Sequence, residues 1–452
     1  MRTTVLLLAI ALFCNCAIAA ETVHSGQTLI GKITAAGQSN KFELQGMAGE
    51  RLLAVVTATT DNFGPFIELY PPNGGEKEAS AAYGGHSSTL DCRFDQTGAY
   101  TLVVRDFGNN AAGDYKLTLL DLSSPGELNQ GTLNSGETKI GNIHQISSMN
   151  VFQLKGIVGE RLLAVVTATT DNFGPFIELY PPNGGDKEAS AAYGGHSSTL
   201  DCRFAQTGAY TLVVRDFGNN AAGDYKLTLL DLSSPGELNL GTLTSGETKI
   251  GKIHQISSMN VFQIKGTAGE RMQAVVTATT DNFGPFIELY PPNGGEKEAS
   301  AAYGGHSSTL DCRFAQTGAY TLVVRDFGNN AAGDYKLTLL DLSSPGELNL
   351  GTLTFGETKT GKIHDISSLN LFHIQGTAGE RMLAVVTATT DNFGPFLELY
   401  PPNGGAKEAS AAYGGHSSTL DCRFAQTGAY TLIVRDFGNN AAGGYTISLH
   451  EK

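Results

Sequence analysis

The chain has 452 residues, room for two to four domains at roughly 100–200 residues each. Its net charge of −14 is spread without a basic block, which speaks against a nucleic-acid partner. Apolar residues at 41% suffice for buried cores, and 56 Gly with 15 Pro indicate many turns without the Gly-X-Y period of collagen.

Residues 1–20 combine Arg2, an apolar run from Val5 to Phe13 and the small-residue end Ala17-Ile18-Ala19, the pattern of a secretory signal peptide. The run is shorter than the about 20 residues of a membrane span, and Asn15 interrupts it. Lipid anchoring would need a small residue before the acylated cysteine, whereas Phe13 precedes Cys14 and Asn15 precedes Cys16. The expectation is an exported, extracellular protein that does not span a membrane, with the periplasm as the alternative compartment.

From there the text repeats. Cys92, Cys202, Cys312 and Cys422 stand 110 residues apart, each inside STLDCRF followed by QTGAYTL. The stretch from Glu50 to Leu122 recurs from Glu160 to Leu232 with only Glu76→Asp and Asp95→Ala changed. Differences gather in the first third of each unit, where GKITAAGQSNKFELQG becomes GNIHQISSMNVFQLKG. The period suits a self-contained β-sandwich of about 100 residues better than a solenoid repeat. The expected domains are residues 21–123, 124–233, 234–343 and 344–452, joined by short Ser-Ser-Pro-Gly linkers as beads on a string.

In repeat 1 the alternation of polarity predicts strands near Thr28–Thr34, Lys41–Gln45, Arg51–Thr59, Phe66–Tyr70, Ser87–Phe94, Tyr100–Asp106 and Tyr115–Leu120. No segment carries apolar residues at helical spacing with caps, so the fold class is all-β: four tandem, jelly-roll-like sandwiches. Leu90, Cys92 and Phe94 share the inward side of their strand, which makes the cysteine a buried free thiol rather than a disulfide partner.

Three segments carry a family resemblance: Gly31-Lys32-Ile33 before Phe42-Glu43-Leu44, the run Phe66–Tyr70 ahead of a Pro-Asn-Gly turn, and Thr97–Val104 before Gly113-Asp114-Tyr115-Lys116-Leu117. Together they resemble the bacterial pre-peptidase C-terminal domain family, in four tandem copies. The resemblance implies a jelly-roll-like sandwich in a secreted protein, a role in substrate binding or secretion, and often a neighbouring protease. The family's aspartates before the second strand are replaced here by Gln38-Ser39-Asn40, Ser148-Met149-Asn150 and Ser368-Leu369-Asn370.

No Gly-x-Ser-x-Gly elbow and no His-Glu-x-x-His zinc motif occurs, so the chain reads as non-catalytic. The loop Arg105–Tyr115 is rich in hard oxygens that suit Ca²⁺. Its candidate ligands are Asp61, Asp106, Asn109, Asn110 and Asp114, then Asp171, Asp216, Asn219, Asn220 and Asp224, then Asp281, Asp326, Asn329, Asn330 and Asp334. Ordinary turn chemistry of Asn and Asp is the competing reading. Phe63, Tyr83, His86 and Phe107 are candidates for exposed interaction loops, and Tyr100 for a buried corner tyrosine.

The function expected from these features is a structural or interaction protein with a protein partner, a cell-surface component or a further copy of itself in a head-to-tail filament. A substrate- or carbohydrate-binding accessory to a separate secreted enzyme is the alternative. The absence of Trp weighs against polysaccharide.

Overall fold

The computed structural model describes residues 21–81, 85–191, 195–301 and 305–452. The expected signal peptide at 1–20 and the candidate Tyr83 lie outside the described residues.

Each repeat is a sandwich of two sheets, eight sheets among the described residues. In repeat 1 the back sheet orders Thr28–Ile33, Gly113–Asp121, Arg51–Ala58 and Ser87–Arg93. The front sheet orders Glu21–Thr22, Ser39–Gly46, Gly98–Asp106, Pro65–Tyr70 and Ala79–Ala81. Glu21–Thr22 is a short parallel edge. The remaining strands cross between the sheets in the order of a jelly roll, the first antiparallel to the last with Ile30 opposite Lys116. Helix among the described residues amounts to three-residue 3₁₀ turns at Gly126–Leu128, Gly236–Leu238 and Gly346–Leu348.

The core follows from strand parity. Leu52, Ala54 and Val56 of the back sheet meet Ile67, Leu69, Leu102 and Val104 of the front sheet. Cys92 packs against this cluster half-buried and free, as its parity predicts. Tyr100 is fully buried, its hydroxyl donating to Gln96 O (3.0 Å) and accepting from Gln96 N (3.1 Å). It is the expected corner tyrosine.

Contacts divide the chain into a unit through Leu128 and a unit Asn129–Lys452. The first is the sandwich of repeat 1. It keeps the turn after Ser123, because Gly126 at φ +59° crosses so close that a Cβ would lie 2.6 Å from Ser25 O. The unit through Leu128 thus includes the turn Gly126–Leu128, and in the second unit the equivalent turns Gly236–Leu238 and Gly346–Leu348 lead directly into the strands Asn239–Thr242 and Asn349–Thr352.

The second unit corrects the expectation of beads on a string. In repeat 2 the strand Arg161–Ala168 is buried along its whole length. Leu162, Ala164 and Val166 face the sandwich core, while Leu163 and Val165 face outward and join Leu230, Leu232 and Leu238. These outward residues pack on Met259, Val261, Tyr290 and Val323, on the front sheet of repeat 3. Repeat 3 packs on repeat 4 in the same way, through Val275, Leu340, Leu342 and Leu348 against Leu369, Leu371, Tyr400 and Ile433. Fully burying one such side chain contributes about 1.5–3 kcal/mol, so sheet-on-sheet packing, not a linker, fixes these three repeats.

Candidate functional site

The Asp/Asn loops have a definite local chemistry. Asp106 is buried, and its carboxylate accepts N–H bonds from Gly64 (3.0 Å), Asn110 (3.0 Å) and Ala111 (3.3 Å), fastening the loop to the turn before Pro65. Asp216 and Asp326 repeat the pattern on Gly174, Asn220 and Ala221 and on Gly284, Asn330 and Ala331. Asn109, Asn219 and Asn329 hold left-handed backbone at φ 55°, 57° and 58°. Their side-chain oxygens accept from Arg105, Arg215 and Arg325.

Asp114 and Asp334 turn to Lys32 and Lys252 on the adjacent strand (3.1 and 3.2 Å), and Asp224 accepts from Asn142. Asp61, Asp171, Asp281, Asn110, Asn220 and Asn330 are exposed. Among the described residues no three His, Cys, Asp or Glu side chains form a group that could hold a metal. The aspartate at the centre of each expected calcium loop is spent on backbone N–H groups, the turn chemistry of the competing reading.

The loop has another task in the second unit. Ser197 Oγ of repeat 2 donates to Gly328 O (3.1 Å) and Thr167 Oγ1 to Asn329 O (3.1 Å). Asn329 Nδ2 donates to Ser197 Oγ (3.2 Å) and Thr199 Oγ1 (3.3 Å). The same set joins Thr277, Ser307 and Thr309 to Gly438 and Asn439. The loop is thus a joint between repeats within the chain.

Among the interaction candidates, Phe63 is corrected. Asn62 takes φ +64° and turns the chain inward, so Phe63 is buried with its ring 6.1 Å from that of Tyr115. His86 is exposed. Phe107 is 55% exposed, and its equivalents Phe217, Phe327 and Phe437 are 55%, 56% and 51% exposed. Each is backed by a stiff assembly. Phe66 meets Phe107 edge-on at 5.6 Å, the Arg105 guanidinium covers Phe66 at 4.4 Å, and Glu68 accepts from Arg105 (3.0 Å) and Lys77 (2.9 Å). Burial alone would raise the carboxyls of Glu68, Glu178 and Glu288, but the Arg and Lys partners outweigh it and hold them below the ordinary range. Glu398 is pushed down to about 2. Burial pushes the Cys92 thiol up to about 12, with Asp91 adding to the effect, so it is no nucleophile.

A groove of about 510 Å³ opens at the junction of repeats 2 and 3, lined in part by Ser233, Asn239 and the turn Pro291–Gly294. Gln263 and Thr321 also line it. Burial, with the neighbouring Asp231 adding, raises the Glu160 carboxyl there. The corresponding space between repeats 3 and 4 is about 230 Å³. In repeat 4 His373 replaces Gln263, and Asn349 Nδ2 lies 3.3 Å from its Nε2.

No family model matches the chain, and no curated protein matches it. Solved structures do. The pre-peptidase C-terminal domain of a collagenase from Bacillus anthracis is 16% identical, covering 22% of this chain and 93% of its own, with a TM-score of 0.20. The secreted serine protease VesC from Vibrio cholerae is 9% identical over 88% of this chain and 99% of its own (TM-score 0.19). The Bacteroides ovatus protein SGBP-B, solved with a mixed-linkage heptasaccharide, is 10% identical over 87% and 90% (TM-score 0.12).

Proposed function

We propose that this chain is an exported, non-catalytic binding protein that presents the same aromatic contact several times over to a protein partner. The observation that carries the reading is the set Phe107, Phe217, Phe327 and Phe437, each about half exposed and each supported from below by a Phe–Arg–Glu–Lys assembly. A rigid aromatic on a held loop loses little entropy on binding and is the usual energetic centre of an interface. Stacking fixes three of the four at set separations, which lets weak single contacts add as avidity.

The test is a pull-down from the extracellular fraction or surface of the producing cell with the full chain. Phe→Ser changes are then introduced at one, two, three and four of these positions. The expected result is a stepwise loss far steeper than proportional. Retention unaffected by all four changes would contradict the reading.

The groove at Gln263 supports a second reading, a neutral, hydroxyl-rich saccharide held by amides and hydroxyls. Gln263→His, which copies repeat 4, would abolish such binding and leave the Phe-dependent partner untouched.

A further inference from the structure

Stacking in the second unit needs two unlike surfaces. The back face offers Leu163, Val165, Leu230 and Leu232 in repeat 2, and the front face offers Met259, Val261, Val323 and Tyr290 in repeat 3. A contact between unlike faces does not close on itself, so any chain with an open front and an open back can extend indefinitely. Two faces that such an extension would use are the front face of repeat 1 and the back face of repeat 4.

Both are altered at the stacking positions. In the strand Ser39–Gly46, Phe42 and Leu44 still enter the core, but Ser39, Lys41 and Glu43 are exposed where repeat 3 has Met259, Val261 and Gln263 and repeat 4 has Leu369, Leu371 and His373. In the strand Gly443–Glu451, Ile447 and Leu449 enter the core, but His450 is exposed where repeats 2 and 3 have Leu230 and Leu340. His450 lies opposite Leu383, as Leu230 lies opposite Leu163. Lys452 replaces Leu232 and Leu342.

The polar anchor of the stack is also occupied. Asp201 Oδ2 accepts the Tyr290 hydroxyl of the next repeat, and Asp311 Oδ2 accepts Tyr400. The equivalent oxygen of Asp421 is already held by Lys452 Nζ (2.5 Å) and Arg381 (2.9 Å).

We propose that these substitutions are stops: they bar a second copy of this chain from continuing the repeat-to-repeat contact. Docking the two faces would bury Lys41 and Glu43 against Leu383 and Val385 and would displace Lys452 from Asp421, leaving charges without water or partners. Most of the unit is held identical while the front strand diverges, so the stacking face is where the repeats differ by position. The inference is independent of what the exposed phenylalanines bind, and it removes this contact as the joint of a head-to-tail filament.

The experiment converts both faces in the full chain from residue 21: Ser39→Met, Lys41→Val and Glu43→Gln on the front, His450→Leu and Lys452→Leu on the back. Analytical ultracentrifugation and negative-stain microscopy should show a single-chain mass for the native protein. The fivefold variant should form concentration-dependent end-to-end polymers. Variants with only one face converted should not polymerise, and adding Val385→Asp to the fivefold variant should return single chains. Circular dichroism with a cooperative melt confirms that each variant is folded. End-to-end polymers of the native chain would overturn the proposal. So would a folded fivefold variant that stays single, or association that survives Val385→Asp.

Discussion

Tyr290 of repeat 3 donates a 3.1 Å hydrogen bond to Asp201 of repeat 2, a carboxylate already held by Arg161 at 2.5 Å, and the Arg161 guanidinium lies 5.8 Å from the Tyr290 ring. Tyr400, Asp311 and Arg271 repeat the arrangement one junction later. A polar clamp thus recurs beside each apolar sheet-to-sheet contact of the second unit.

If the clamp couples the repeats, Tyr290→Phe should cost about 1.5–3 kcal/mol, the range for a hydrogen bond to a charged acceptor. In a double-mutant cycle with Asp201→Ala, the coupling energy should be on the order of 1 kcal/mol. Denaturant unfolding of the four chains measures it, and additive effects would show that the contact carries nothing.

Gln273 stands where repeat 2 has Leu163. Its Nε2 donates to Glu398 (3.0 Å), while its Oε1 is buried without a partner. An unsatisfied buried acceptor costs about 1–3 kcal/mol, and the junction of Leu163 shows that an apolar residue fits the site. Gln273→Leu should therefore be neutral or stabilising by up to about 1 kcal/mol, seen as an unchanged or raised melting temperature. A marked fall would mean that the bond to Glu398 is worth more than the orphaned oxygen.

Much of this was legible in the sequence. Period-two polarity placed the strands and put Leu90, Cys92 and Phe94 on one side, and Gly-x-Tyr marked the corner at Tyr100. The uninterrupted run Leu162-Leu163-Ala164-Val165-Val166 also announces a strand buried on both faces. What covers the second face depends on tertiary placement, so the stack could not be read from one repeat. Ser39, Lys41 and Glu43 were visible as divergence, but only the fold shows that they share the stacking face. Phe63 was misplaced because a Thr-Asp-Asn-Phe-Gly loop looks exposed until Asn62 is seen in left-handed backbone. The oxygen-rich loops leave two readings open in the sequence because carboxylates that fasten turns and those that bind cations share one composition.

The thiols should be inert while folded. Burial pushes Cys92, Cys202 and Cys312 up to about 12 and Cys422 to about 11, so almost no thiolate exists at pH 8. A chromogenic disulfide reagent should modify none of them at that pH and all four after denaturation, with Cys422 the first to react as pH rises. Fast reaction of native protein at pH 8 would contradict the burial.

Acid should loosen the chain through its buried glutamates. Glu398 titrates near 2 in the folded state against an ordinary value of 4.5. A depressed carboxyl contributes stability above the unfolded value, and that contribution fades as pH falls from about 4.5 toward 2. Glu178 and Glu288 are depressed in the same direction. Glu398→Gln should lower stability at pH 7 and flatten the loss between pH 5 and pH 3, as followed by urea unfolding across that window. An unchanged slope would show that the Arg435 and Lys407 pairs do not stabilise the ionised form.

The central claim is that repeats 2 to 4 are packed as one body rather than strung on linkers. Ile140 and Ile250 occupy equivalent strand positions and are each 77% exposed, so probes there disturb no packing. Nitroxides placed through Ile140→Cys and Ile250→Cys, in a chain from residue 21 whose four native cysteines are alanine, report the distance between repeats 2 and 3. Pulsed dipolar spectroscopy should give one narrow distribution that broadens when Val261→Asp breaks the apolar contact. A broad distribution in the unbroken chain would contradict the account.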